Sequence, residues 1–497
     1  MPVDHIRTGP ARQYVDLIRN LPVPEQIDWD DAPTQFKVYR GRRRIPLDRD
    51  DLGQLLHDCY GVTRYRWTDA DALRRLIGTR GAEPAGGARL ARNCLRPVPS
   101  GGSRFPAELY VLAGPDTAVP PGLYHYDAPH HSLVTIRDGD WTGSLAASLG
   151  CPGTAPRLTL LTSVFFWKNG FKYGDLTYRL AALDAGVLIG QILTVASRQH
   201  PAASVRYQFV DDDMDRLLRL DPMRESVYAA VVLDPGPSLS PAPALIADDS
   251  VETSRTGAPA STEGQWSLDD RPVQAALHRA ARITSAAELR PPPPGAEPVT
   301  AGDRVDLLAG LRRRSSSMGY FTPAAMTAGT LLRLLGPALD GYPSDIGDPG
   351  PIRHTSLYCA VNRVAGLEPG VYRFGPDGPI PVRAADLGAE LQESLLIKLF
   401  NLAHTNLCVY PVGDYERGFA EYGDRWYRIQ NLEAGIVTQR LYLAAAALGL
   451  SCHASLGYEI PRTDTMLGLD GTGATSLIQL MIGAGRPPGD YYEVSWQ

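Results

Sequence analysis

A chain of 497 residues with ordinary apolar content (44%) is too long for one comfortable hydrophobic core, so a globular protein of two or more domains is expected. Its formal net charge of −6 leaves no global basic surplus to hold a nucleic acid or an anionic membrane, and neither is expected as a partner. Six scattered cysteines (Cys59, Cys94, Cys151, Cys359, Cys408, Cys452), with no CxxC pair and no metal-ligand spacing, predict buried free thiols, a cytosolic setting and no metal.

The N-terminus, MPVDHIRTGP, lacks the apolar core of a signal peptide, and no uninterrupted apolar run approaches the roughly 20 residues that span a bilayer. Residues 1–45 read as an N-terminal extension ahead of a first domain, 46–233. In "RPVPSGGSRFPAELYV", from Arg96, the Pro99-Ser100-Gly101-Gly102 loop lets backbone approach a flat ligand, because glycine has no side chain in the way. The alternating "AELYVLA" from Ala107 predicts a strand, and "PPGLYHYD" from Pro120 a turn into a second one. His130 and His131 fall in a predicted hairpin turn and are expected to be exposed rather than metal-bound. "KYGDLTYRLAALDAG", from Lys172, leads into "VLIGQILTVAS", apolar nearly all round, which predicts a buried helix.

Residues 234–266, rich in Pro, Ser, Ala and Asp, have linker composition. A second domain, 267–497, follows. "RPVQAALHRAARITSAAELR" (271–290) predicts an amphipathic helix, stopped by "PPPPG", a stiff spacer. "LRRRSSSMGYF", from Leu311, groups forked guanidinium donors with hydroxyls as a compact anion site. "PAAMTAGTLLRLLG" follows at once with helical spacing that buries Leu331, Leu334 and Leu335. That places the basic run just before a helix, where a phosphate also suits the dipole.

The chain then repeats itself. "SLYCAVN" matches "ELYVLAG", and "EPGVYRFG" matches "PPGLYHYD", with Tyr110 and Tyr358, and Tyr124 and Tyr372, each 248 positions apart. "EYGDRWYRIQNLEAG", from Glu421, matches the Lys172 phrase at a displacement of 249. Three blocks at a nearly constant offset mark a tandem duplication. Strands around a central buried helix make each copy α+β. Tyr178-Arg179 and Tyr427-Arg428 survive in both copies, which suits a structural role at the interface between them.

Arg-Arg-Ser followed by a helix, Pro-Ser-Gly-Gly followed by Pro-x-Glu-Leu-Tyr, Pro-Gly-Leu-Tyr-x-Tyr, and Lys-Tyr-Gly ahead of a buried helix together resemble the nitroreductase-like FMN flavoproteins. The set resembles their SagB/McbC-type branch most closely, the FMN-dependent dehydrogenases that oxidise azolines in ribosomal peptide natural products. The resemblance implies two tandem nitroreductase-like domains forming an intramolecular pseudo-dimer. It also implies FMN, a modified precursor peptide as substrate, and cyclodehydratase partner enzymes.

In that family one protomer supplies the phosphate-binding Arg-Arg-Ser and a C-terminal Gly/Arg segment, and the other supplies the Pro-Ser-Gly loop. Here Arg313, Arg314, Ser315, Gly485 and Arg486 lie only in the second half, whereas Arg96, Pro99, Ser100, Gly101 and Gly102 lie only in the first. Ser317 stands where the family usually has a further basic residue. The losses are complementary, so one composite site with a single FMN per chain is expected.

The resemblance assigns Lys172 and Tyr173 as the catalytic pair; the second copy has Glu421 in place of the lysine. Turning a thiazoline or oxazoline into the aromatic azole removes a proton from one ring carbon and a hydride from its neighbour, which FMN N5 accepts. Either the ammonium lowers the pKa of Tyr173 and equips it as the base, or a desolvated Lys172 is itself the neutral base. Two alternatives stay open: NAD(P)H-dependent nitroreduction on the same scaffold, or a flavin-free protein that binds a precursor peptide. The first 50 residues, with "FKVYRGRRRIPL" from Phe36, and the linker are candidate docking surfaces for a peptide, because they lie outside the duplicated blocks.

Overall fold

The computed structural model describes residues 9–20, 27, 31–69, 90–151, 154–237, 266–290, 304–317, 321–346, 354–375, 377–485 and 491–493. Most of the expected linker, the "PPPPG" spacer and Arg486 lie outside the described residues.

In the first half, β1 (Arg44–Pro46) is followed by β2 (Arg64–Asp69), β3 (Leu90–Leu95), β4 (Ala107–Ala113), β5 (Gly122–Asp127), β6 (Ser132–Asp138), β7 (Thr154–Phe165), β8 (Ser204–Arg206) and β9 (Glu225–Pro237). All but β2 and β3 form one antiparallel sheet, ordered β1-β6-β5-β4-β7-β9-β8. In the second half, β10 (Met326–Thr327) and β12 (Val364–Ala365) pair in parallel. β11 (Thr355–Val361), β13 (Gly370–Gly375), β14 (Gly378–Ala384), β15 (Leu407–Asp414), β16 (Ser451–Ser455) and β18 (Gln479–Gly483) form a second sheet, ordered β14-β13-β11-β15-β18-β16. β17 (Ala474–Ser476) pairs with β15 beside it.

Period-two patterning gives both sheets two buried faces. On β4, Leu109, Val111 and Ala113 join the large central core, whereas Tyr110 and Leu112 join a separate cluster on the outer face. On β11, Leu357, Cys359 and Val361 point inward and Ala360 outward. The central core draws side chains from both halves, so the halves share their largest interior.

At its centre lie the helices Thr177–Ala196 and Arg425–Ala447. Trp167–Ala196 is long and apolar enough to cross a membrane by length and composition, yet its apolar window lies wholly inside the protein. The two helices touch backbone to backbone. A methyl group on Gly186 would stand 2.1 Å from the Leu432 carbonyl oxygen, and one on Gly435 would stand 2.3 Å from that of Leu183. Both pairs are related by the 249-residue displacement, so this contact is the pseudo-twofold axis of the duplication. Gln439 Nε2 donates to Gln191 Oε1 across it at 2.5 Å.

The repeated Tyr-Arg pairs sit at this interface. Tyr178 and Tyr427 have ring centroids 6.2 Å apart. Arg179 donates to the Ser476 and Leu477 carbonyls of the other half, and Arg428 to the Val227 carbonyl, the twin of Ser476. A buried arginine that satisfies carbonyls across the axis ties the halves together without catalytic work.

The N-terminal segment is not outside the duplication. The helix Pro10–Arg19 docks on the second half: Ala11 N–H donates to Asp424 Oδ1 at 2.8 Å, and Arg19 pairs with Asp464 at 3.1 Å. The helix Pro272–Ala280 docks on the first half in the same way, through Arg271 to Asp175 (3.5 Å) and Arg282 to Asp215 (2.7 Å). Asp175 and Asp424, like Asp215 and Asp464, are 249 apart. Each half is thus covered by the segment that precedes the other.

This second helix ends at Ala280, shorter than its periodicity predicts, because Ile283 N–H bonds the Asp211 carboxylate instead of continuing the spiral. β19 (Tyr491–Glu493) completes the exchange by pairing with β2 of the first half. Within "FKVYRGRRRIPL", Lys37 and Tyr39 are buried against the outer face of the first sheet, whereas Arg40, Gly41, Arg43 and Arg44 are exposed.

Candidate active site between the halves

The short helix Trp167–Tyr173 leaves β7 and ends on Lys172 and Tyr173. Both side chains reach the Pro99–Gly102 loop. A methyl group on Gly102 would stand 2.6 Å from Lys172 Nζ and 2.5 Å from Tyr173 Oη, and Gly102 itself has φ +59°. Left-handed backbone and lack of space both demand glycine there. Two motifs 70 residues apart in sequence therefore form one cluster.

The loop is held from below by Asp184, on the first central helix. Ser100 Oγ donates to Asp184 Oδ2 at 2.8 Å, Gly101 N–H donates to Oδ1 at 3.4 Å, and Phe105 N–H donates back to Ser100 Oγ at 2.8 Å. Burial pushes the Asp184 carboxyl up to about 7, against these donors. Sequence reasoning missed Asp184 as a loop anchor. The available signal was the acid retained in both copies of the repeated phrase, Asp184 and Glu433.

A test follows from linkage. An acid whose pKa rises on folding stabilises the protein at low pH and withdraws that stability as pH climbs from its ordinary 3.8 through about 7. Asp184→Asn lacks that loss, so its thermal midpoint should gain on the parent protein's between pH 4.5 and 8. A constant difference across that range would remove Asp184 from the titrating groups.

Lys172 and Tyr173 are perturbed in opposite directions. Burial, then the positive charge of Arg104, pushes the Lys172 ammonium down to about 8. Burial, with the Asp184 carboxylate, pushes the Tyr173 phenol well above its ordinary value. The scheme in which the ammonium lowers the phenol pKa is therefore not what the geometry produces. A lysine neutral near pH 8 beside a protonated tyrosine is a base beside a donor.

The Arg-Arg-Ser run sits elsewhere than its periodicity suggests. It follows a 3₁₀ turn (Leu307–Gly310), and the next helix begins only at Ala328, so Ser315 is not at a helix N-terminus. Ser317 lies beside β16 instead. Ser317 N–H donates to the Cys452 carbonyl, and His453 Nδ1 donates to the Ser317 carbonyl at 2.5 Å. Burial pushes His453 down to about 4, which keeps it neutral and its Nδ1–H on that carbonyl.

Arg313 is exposed and Ser315 half-buried. Arg314 is buried, and its Nη2 donates to the Arg96 carbonyl of the first half at 3.1 Å. Arg96 contributes that carbonyl rather than its guanidinium, which lies over the Tyr60 ring at 3.9 Å and against Phe36 and Phe105. Gly485 bridges to Phe321, bringing the C-terminal segment beside the chain that follows the basic run.

The second copy of the pair is different. Glu421 faces Arg290 at 3.6 Å, and Arg290 also lies over the Tyr422 ring at 5.0 Å. The counterpart of the Pro99–Gly102 loop, before His354, lies outside the described residues. His130 is largely exposed and bonds Asp127, and no cluster of three or more His, Cys, Asp or Glu among the described residues could hold a metal. All six cysteines are free thiols.

Comparison with known proteins places the fold. The nitroreductase family matches residues 368–486. A crystal structure from Anabaena variabilis that carries a nitroreductase name superposes over 96% of this chain and 100% of its own, with a TM-score of 0.73 and 21% identity. The chain therefore has the nitroreductase fold, in tandem. MJ1384 of Methanocaldococcus jannaschii, also carrying a nitroreductase name, is 38% identical over 96 residues, which are 19% of this chain. The trifolitoxin-processing protein TfxB of Rhizobium leguminosarum bv. trifolii is 29% identical over 145 residues, 27% of this chain. The chain spans 48% of the length of the first of these relatives and 38% of the second.

Proposed function

We propose that this chain is an FMN-dependent oxidoreductase that dehydrogenates azoline rings, thiazoline or oxazoline, to azoles in a ribosomally made peptide. The observation that carries the proposal is the meeting of Lys172 Nζ and Tyr173 Oη at the side-chain-free face of Gly102. Residue types suited to a flavin are spread over both halves, which meet where Arg314 Nη2 donates to the Arg96 carbonyl, three residues ahead of the loop. The Ser100–Gly102 backbone offers a flat approach, and a methyl group at Gly102 would fill it. Arg313 and Ser315, with Arg486, would hold the phosphate from the second half, and Gly485 would let the backbone come close.

FMN, when bound, supplies the hydride acceptor. The protein's own groups do the rest. Lys172, neutral above about pH 8, takes the carbon-bound ring proton at Nζ. Tyr173 keeps its proton and donates from Oη to the charge that develops as that proton leaves. Asp184 fixes the loop on which both depend, and burial, with like-charge repulsion from Arg104, lowers the basicity of Lys172. The reading also accords with TfxB being named a trifolitoxin-processing protein, and cyclodehydratases are the partners that would make the azolines.

The first test counts flavin. The purified chain should carry one FMN, and an azoline-containing peptide should yield a product lighter by two hydrogens per ring. Two flavins per chain would show an intact second pocket and contradict the single composite site. No flavin after soaking with FMN would remove the enzyme.

A further inference from the structure

The duplication supplies its own template for a second binding site. On the outer face of the first sheet, a polar cluster at the β4–β5–β7 end is closed by the chain's own segment 34–40. Lys37 Nζ bonds Glu225 Oε2 at 2.5 Å and Tyr110 Oη at 2.6 Å, and Tyr39 Oη lies 3.0 Å from Tyr110 Oη. Beside them Lys168 and His125 both bind Glu108. Leaving Lys37 aside, this cluster holds two carboxylates and one ammonium, and Lys37 balances it.

The strand registers identify the same positions in the second half. Glu108 pairs with Ser163 where Ser356 pairs with Val412. Tyr110 faces His125 where Tyr358 faces Arg373, and Phe165 faces Glu225 where Asp414 faces Ala474. Arg417 stands for Lys168 at the displacement of 249. Among the described residues, the counterpart of the first-half plug is a cleft of about 200 Å³, lined by Tyr358, Arg373, Asp414 and Arg417 among others.

Two differences define what fits there. Both glutamates are gone and His125 has become Arg373, so the cleft holds two guanidiniums and one carboxylate. It is the charge inverse of the first-half cluster and is balanced by one negative group. Neither Arg373 nor Arg417 has an ion-pair partner among the described residues. The apolar floor beside it is also uncovered: Ile380, across from Arg373 on β14, is 53% exposed, whereas its twin Val134, across from His125, is 1% exposed and pairs onward with β1. β14 is the open edge of the second sheet.

We propose that this face docks an extended segment of another polypeptide that places a carboxylate between Arg373 and Arg417 and an apolar side chain on Tyr358 and Ile380. The segment lies as residues 34–46 lie on the first sheet and adds to the β14 edge. None of the residues assigned to flavin or proton transfer takes part.

The test uses the full chain and two fluorescein-labelled heptapeptides with the sequence of residues 34–40, one native and one carrying Lys37→Glu. Anisotropy titrations should show the Glu peptide binding about tenfold tighter than the Lys peptide. Arg373→Glu with Arg417→Glu should abolish or reverse that preference, and Ile380→Asp alone should weaken binding of the Glu peptide. Equal affinity for the two peptides, binding indifferent to the arginine pair, or no saturable binding at millimolar peptide would overturn the proposal. Concentration-dependent dimerisation lost in the double variant would also overturn it, because the occupant would then be a second copy of the chain.

Discussion

Lys172→Ala is expected to lower azoline turnover by roughly 10²- to 10⁴-fold, the usual worth of a positioned general base, while flavin content stays at one per chain. Tyr173→Phe should cost far less, because the phenol keeps its proton and only a hydrogen bond to developing charge is lost. The sign of the pH dependence follows from the lysine. Its ammonium must lose a proton before it can accept one from the ring. Turnover should therefore rise with pH and level off above about 8, where an undisturbed lysine would still be rising toward 10.5. Arg104→Gln removes the neighbouring positive charge, so the rise should move to higher pH without a comparable loss at the plateau. A variant series in which Tyr173→Phe is the more damaging change, or in which Arg104→Gln leaves the profile unmoved, would return the base to the tyrosine.

Gly186→Ala should be among the most destabilising single changes, about 3 kcal/mol by the measure of overpacked interiors. The added carbon would stand 2.1 Å from a backbone carbonyl oxygen of the opposite helix, and backbone cannot swing aside as a flexible side chain can. Gly435→Ala should behave alike, since it meets the Leu183 carbonyl from the other side of the axis. Gly375→Ala, where nothing lies within 4 Å, is the control and should shift stability by no more than about 0.5 kcal/mol. Because the central core draws on both halves, the two helix variants should melt the whole chain in one step. Separate melting of one half, seen by calorimetry, would show that the halves fold independently.

The swapped segments explain why the duplication does not divide into two free-standing units. Pro10–Arg19 closes the second half through Asp424 and Asp464, and Pro272–Ala280 closes the first through the twin aspartates Asp175 and Asp215. Cutting the chain in the linker would leave each half capped by a helix belonging to the other.

The amino-acid sequence by itself determined the duplication, the α+β class, the strands at Ala107 and Gly122 and the buried central helix of each copy. Each rests on a local period or a repeated phrase that survives unaided by contacts. It also offered the parts of the candidate site, since glycine runs, clustered arginines and a Lys-Tyr pair are recognisable one motif at a time. Only the tertiary structure decided what those parts do to one another. The fall in Lys172 basicity and the rise at Tyr173 come from burial and from Arg104 and Asp184. The inward turn of Arg96 comes from the rings of Tyr60 and Phe105. The position of the chain around the Arg-Arg-Ser run depends on hydrogen bonds to residues more than 100 positions away, from Arg314 to Arg96 and between Ser317 and His453. The exchange of the two short helices was invisible for the same reason: their sequences have diverged, and only their aspartate partners, held 249 residues apart by the fold, keep the symmetry. Desolvation and long-range pairing are properties of neighbours in space, and a linear pattern carries no record of them.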